Sequence, residues 1–231
     1  MNSNKNTAKI VGVLFIIGTV AGVLSVIFTK SILTDENYLL KVAANETQIL
    51  IGAFFVLLMG FALAMVPVVM FPVLKKTNEV LALGYVVFRG ALETVIVMAV
   101  AISMLLLIPL SQEYVKAGAP DPSYFQTLGA LLQGVADLPL TALIFSIGAL
   151  MFYTVLYQSN LIPRWLSVWG LIAITLHLAT VFLLIFNLQT EFSVSNIVMN
   201  LPIFLQEMVM AVWLIVKGVN PSPITSDSVN N

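Results

Sequence analysis

Five ionisable side chains stand inside stretches that are otherwise apolar: Arg89, Glu93, Asp137, His177 and Glu207. A charge held in hydrocarbon is costly, so such residues pair with one another, face water, or serve ligands and protons. Arg89 and Glu93 are four residues apart and fall on one face of a helix. The helical rise converts sequence position into depth. Counted from Val80, Arg89 lies about 14 Å and Glu93 about 20 Å into its stretch. His177 lies about 18 Å beyond Trp165, and Glu207 about 15 Å before Lys217. These four share one level near the middle of a bilayer. Asp137, counted back from Tyr157, falls about 30 Å from that end.

Charge counting then restricts the chemistry. One arginine faces three carboxylates, an excess of two negative charges when His177 is neutral. Unpaired charges in hydrocarbon are strongly unfavourable. Either His177 is protonated against Glu207, or carboxylates hold protons, or water enters a cavity. The set reads as a partly hydrated pocket that binds a small polar ligand or passes protons. The plain alternative is an interhelical salt bridge that fixes packing, since structural networks also perturb titration.

Other chemistries find less support. His177, Glu93, Glu207 and Asp137 offer nitrogen and oxygen donors, but a single histidine without an H-E-x-x-H spacing does not make a zinc site, and no metal or other cofactor is expected. There is no G-x-S-x-G for a serine hydrolase and no G-x-x-x-x-G-K-[ST] for ATP. The chain has no cysteine, which excludes disulfides, thiolate metal sites and a cysteine nucleophile. Its net charge of -1 gives no basic face for nucleic acid.

The elements that must hold these residues are membrane helices. Of 231 residues, 60% are hydrophobic and 9% charged, with a mean hydropathy of +1.03. A typical soluble domain is about 25% charged, and so few charges could not cover a water-soluble surface. Six runs approach or exceed the roughly 20 residues that a spanning helix needs: Ile10–Thr29, Gln48–Leu74, Val80–Leu110, Tyr124–Tyr157, Trp165–Phe186 and Val198–Val216. None alternates as the strands of a membrane barrel do. The first run is longer than the core of a signal peptide and is read as a retained span. The expected fold is all-α, an integral membrane bundle of six transmembrane helices. Lys5, Lys9, Lys75, Lys76, Arg164 and Lys217 fall on one side and Lys30, Lys41 and Lys116 on the other. That bias predicts cytoplasmic termini.

The chain thus divides into a cytoplasmic N-terminus over residues 1–9, a six-helix transmembrane domain over 10–218, and a disordered cytoplasmic tail over 219–231. The segment from Asp35 to Thr47 suits a short helix at the membrane surface. Asp121 and Pro122 make a good helix start, by capping and by the fixed backbone angle of proline. Pro67, Pro72, Pro139 and Pro202 are expected to bend or begin helices.

The stretches LKVAANETQILIGA, LSQEYVKAGAPDPSYFQTLGALL, LIPRWLSVWGLI and LPIFLQEMVMAVWLIVKG resemble the domain of unknown function 4386 family of bacterial multi-span proteins. The resemblance runs from about Lys9 to Gly218. It implies one membrane domain in a bacterial plasma membrane and carries no assigned activity.

The reading that follows is a multi-pass membrane protein whose buried polar cluster binds or transports a small polar ligand or protons. The bilayer is its first partner, with a homo-oligomer or a membrane partner protein also open. The alternative is a sensor or regulatory partner that transports nothing, and an intramembrane hydrolase has least support.

Overall fold

The computed structural model describes residues 2–118, 122–190 and 193–220, and among them the regular elements are all helical. They are α1 (Asn2–Leu33), α2 (Tyr38–Ala44), α3 (Glu46–Leu74), α4 (Glu79–Tyr85), a π-helical segment (Val86–Leu92), α5 (Glu93–Lys116), α6 (Pro122–Gly134), α7 (Leu140–Ser159), α8 (Arg164–Ile185) and α9 (Val194–Val216). Six helical stretches are long and apolar enough to cross a membrane: Lys5–Leu33, Glu46–Leu74, Glu79–Lys116, Leu140–Ser159, Arg164–Ile185 and Val194–Val216. A helix satisfies its backbone internally, the condition for life in lipid. Ile27, Phe54, Val95, Ile172 and Val212 are each more than half exposed, as lipid-facing side chains are.

One expected span is redrawn. The run from Tyr124 to Tyr157 is not one helix but two, α6 and α7, separated by a turn over 135–139. Pro139 causes the break. It lacks an N–H to continue the ladder and pushes the preceding residue out of the helical region. Asp121 lies outside the described residues, and Pro122 opens α6.

The chain forms two compact units. The first comprises residues 1–16, 63–93 and 139–231, and the second 17–62 and 94–138.

In the first unit, α7 packs on α8, α8 on α9, and α7 also on α4 and the π-helical segment. Its core holds Phe15, Met70, Tyr85, Phe152, Tyr153, Leu166 and Ile174, all at most 2% exposed. Tyr85 stacks on Phe152 with centroids 4.5 Å apart. Gly148 lets α7 approach the π-helical segment, because a Cβ there would meet the Arg89 backbone nitrogen at 3.2 Å. Asn78 caps α4 by accepting a hydrogen bond from Leu81 N at 3.0 Å. After α7 the chain reverses through Asn160, whose φ of 50° is left-handed. Asn220 is tied to that turn, donating from its amide to Asn160 O at 2.8 Å and from its backbone to Leu161 O at 2.8 Å. The rest of the expected tail, 221–231, lies outside the described residues.

In the second unit, Ile32, Val42, Ile49, Ala53, Ala101 and Leu107 make the core. The short helix expected between Asp35 and Thr47 is α2. Tyr38 on α2 donates to Gln126 O of α6 at 3.1 Å, and Gln133 of α6 donates to Leu33 O at 3.3 Å. Partial burial raises the titration point of the Tyr38 phenol. Gly22 lies close against Met59, the packing role that small residues take between membrane helices.

Candidate functional site

Arg89 sits in the π-helical segment and is 5% exposed. π-helical turns are rare and recur at functional positions. Its Nη1 donates to Glu93 Oε1 at 2.5 Å. Its Nη2 lies 4.0 Å from Glu207 Oε1 on α9. That distance is an ion pair but too long for a hydrogen bond. The guanidinium also lies over the Phe145 ring, 4.5 Å from its centroid, in cation–π geometry.

The two carboxylates are not equivalent. Glu93 is 8% exposed and bonded through Oε1, while its Oε2 is buried without a partner. Glu207 accepts no hydrogen bond among the described residues and keeps 17% of its side-chain surface exposed. One arginine and two glutamates sum to one negative charge when ionised.

His177 is half-buried on α8. It does not pair with Glu207, contrary to one of the three routes considered from sequence. Its Nδ1 lies 2.9 Å from Ser146 Oγ on α7, and its ring packs edge-on against Phe145 at 5.1 Å. The Ser146 hydroxyl also reaches Ala142 O at 2.7 Å, and which of Ser146 and His177 donates follows from the imidazole tautomer. Phe145 touches both Arg89 and His177, joining two groups that share no hydrogen bond.

Ser146 and His177 are within nucleophile–base distance. However, Ser146 is completely buried, with Ala142 O a competing acceptor for its proton at 2.7 Å. A substrate could not reach it, and the geometry lends no support to hydrolysis.

Asp137 is not among the buried groups. It lies in the exposed turn between α6 and α7, within the second unit. The break at Pro139 brings it out of the apolar stretch. The buried excess therefore falls from two negative charges to one.

Two sets of polar residues escaped the sequence analysis. Tyr153 donates to Gln206 Oε1 at 2.6 Å, and Gln206 Nε2 donates to Leu166 O at 3.1 Å, with both side chains buried. Nearer the α8–α9 connection, Thr180 Oγ1 donates to His177 O at 2.6 Å and approaches Asn200 Oδ1 at 3.2 Å. Asn200 donates to Asn196 Oδ1 at 2.7 Å, and Gln189 donates to Thr180 O at 3.2 Å. A signal was present, since Asn196, Asn200 and Glu207 are spaced to share one face of α9.

No curated protein and no solved structure matches the chain. A family model described as Domain of unknown function (DUF4386) matches residues 10–218, which is most of the chain. Two findings therefore coincide, six helices fit to cross a membrane and a family model that spans them, and the protein belongs to the DUF4386 family.

Proposed function

We propose that this protein binds a small polar ligand or a proton at Arg89, Glu93 and Glu207 and carries it across a bacterial plasma membrane. Both termini would face the cytoplasm, as the lysine and arginine bias of the loops suggests. One observation carries the reading. Among the described residues Glu207 is a largely buried carboxylate without a hydrogen bond, and it shares the Arg89 guanidinium with a second, more tightly held carboxylate. A purely structural ion pair has no need of the third charge. A partner that is absent part of the time, such as a proton or a ligand, accounts for it.

Proteoliposomes enclosing a pH-sensitive dye test the reading. Under an imposed potential or a polar-solute gradient, the lumen should change pH, and Glu207→Gln should remove the change while the protein stays folded. An undiminished signal in folded Glu207→Gln protein rules the site out.

A second reading, a sensor or regulatory partner, draws on the second unit. There α2 and α6 are held together by Tyr38 and Gln126, a folded surface suited to another protein. Failure of all flux together with specific capture of a membrane partner would favour it.

A further inference from the structure

The polar groups of α8 and α9 are distributed unevenly. One half of this helix pair, towards the connection at 186–193, carries Ser195, Asn196, Asn200, Thr180 and His177, leading to Glu207. The other half is closed. There Tyr153, Gln206 and Leu166 O form a fully buried, hydrogen-bonded layer, followed by the core residues Leu166, Ala211 and Leu214. A line of polar side chains, with Asn196 and Thr180 buried and Asn200 and His177 half-buried, thus runs from one end of the helix pair towards a carboxylate and stops at that layer.

We propose that this line is the ligand's path to Glu207, and that the ligand is a small organic cation with hydrogen-bonding groups of its own. The inference rests on the reading of Arg89, Glu93 and Glu207 as a ligand site and adds the charge, the class and the side of approach. With both glutamates ionised the cluster is one positive charge short of neutral, so an anion would deepen the imbalance and a cation removes it. The orphaned Glu93 Oε2, on a residue nine-tenths buried, supplies an independent unmet acceptor.

A bare metal ion fits less well. It takes several oxygens at about 2.0–2.6 Å in place of its water. The lining amides begin two turns above Glu207, about 10 Å away along α9. An ammonium at Glu207 with hydroxyl or amide groups extending towards Asn200 uses both ends of this arrangement. The amides also argue against a proton wire, since a carboxamide does not exchange protons readily near neutral pH.

The absence of native cysteine gives a direct test. Single cysteines replace Ser195 at the exposed mouth, Asn200 midway, and Ser167, which is fully buried in the closed half of α8. Each variant, in nanodiscs, is treated with a cationic trimethylammonium methanethiosulfonate and with an anionic sulfonate analogue. Relative to the rate ratio at Ser195→Cys, Asn200→Cys should favour the cationic reagent by at least about tenfold, from the field of the excess carboxylate. Glu207→Gln should abolish that preference, and Ser167→Cys should react with neither reagent. Ethanolamine at millimolar concentration should slow labelling of Asn200→Cys, and sodium acetate should not. His177→Cys repeats the measurement one position deeper should Asn200→Cys fold poorly.

Equal rates for the two reagents, or protection by sodium alone, overturn the organic-cation inference. Labelling of Ser167→Cys in preference to Asn200→Cys overturns the direction of approach. These readings need no flux. Charge-selective labelling in a protein that moves nothing across liposomes would sink transport and leave this inference standing.

Discussion

Arg89 is 2.5 Å from Glu93 and 4.0 Å from Glu207, so one guanidinium makes a hydrogen-bonded pair with the first and only a charge contact with the second. The first pair lies on adjacent turns of one helical stretch. The second bridges the π-helical segment and α9. The difference gives the three side chains distinct roles in stability.

Arg89→Ala should be the most damaging of the three single changes. It leaves two carboxylates buried without a cation, and breaking a buried pair in this way costs about 3–5 kcal/mol. Glu93→Gln keeps Glu207 as a counter-charge and should cost about 1–3 kcal/mol. Glu207→Gln removes the uncompensated charge and should change stability by less than about 1 kcal/mol in either direction. Reversible denaturation in mixed micelles measures the order. A Glu207→Gln loss equal to that of Arg89→Ala would show that the third charge is structural.

Gln206→Leu should destabilise more than Tyr153→Phe. The leucine leaves the Tyr153 hydroxyl buried without a partner, at about 1–3 kcal/mol, and also removes the second donor to Leu166 O, which keeps its helical hydrogen bond. Tyr153→Phe removes one donor and leaves an amide oxygen unpaired, within the same range for a single group. Amide exchange in α7 and α8 should rise on Gln206→Leu, since the layer that ties both helices to α9 is lost. No change in exchange would mean that apolar packing alone closes this half.

Much of the fold could be read from the sequence because lipid imposes length and hydropathy on every span. The positions of Ile10, Gln48, Val80, Trp165 and Val198 each fall at or inside the start of an observed helical stretch. The Arg89–Glu93 contact followed from a spacing of four residues, and the shared depth of Glu207 from the helical rise. What lipid does not encode is facing. These helices, α9 apart, are apolar all round, so the pattern says little about which side meets a neighbour. That is why Ser146 beside His177, and Gln206 between Tyr153 and Leu166 O, went unseen. The π-helical turn at Arg89 has no composition of its own. The break before α7 is legible in Pro139, although the continuous hydropathy from Tyr124 to Tyr157 places Asp137 within an apolar run.

Gly148→Leu should disturb the site without touching a charged residue. The added side chain starts 3.2 Å from the Arg89 nitrogen and 3.3 Å from Phe88 Cβ, so α7 and the π-helical segment must separate. Overpacking of this kind costs about 1–3 kcal/mol. It should also weaken any solute response that depends on Glu207, because Phe145 on α7 and Arg89 move apart. Gly148→Ala, a smaller intrusion at the same point, should show both effects more weakly. A destabilised Gly148→Leu with an intact solute response would show that the placement of Arg89 against α7 is unimportant to binding.

Asp137→Asn separates the exposed carboxylate from the buried ones. Asp137 lies in an exposed turn outside the six spanning stretches, and surface substitutions of this kind stay within about 0.5 kcal/mol. The variant should unfold at the wild-type denaturant concentration and keep the charge preference of labelling at Asn200→Cys. The reason is that its charge, screened by water, is no part of the count that leaves Arg89, Glu93 and Glu207 one cation short. If Asp137→Asn instead abolished the preference as Glu207→Gln is expected to, the negative field would have to be assigned to the α6–α7 turn, and the buried cluster would lose its claim to attract the cation.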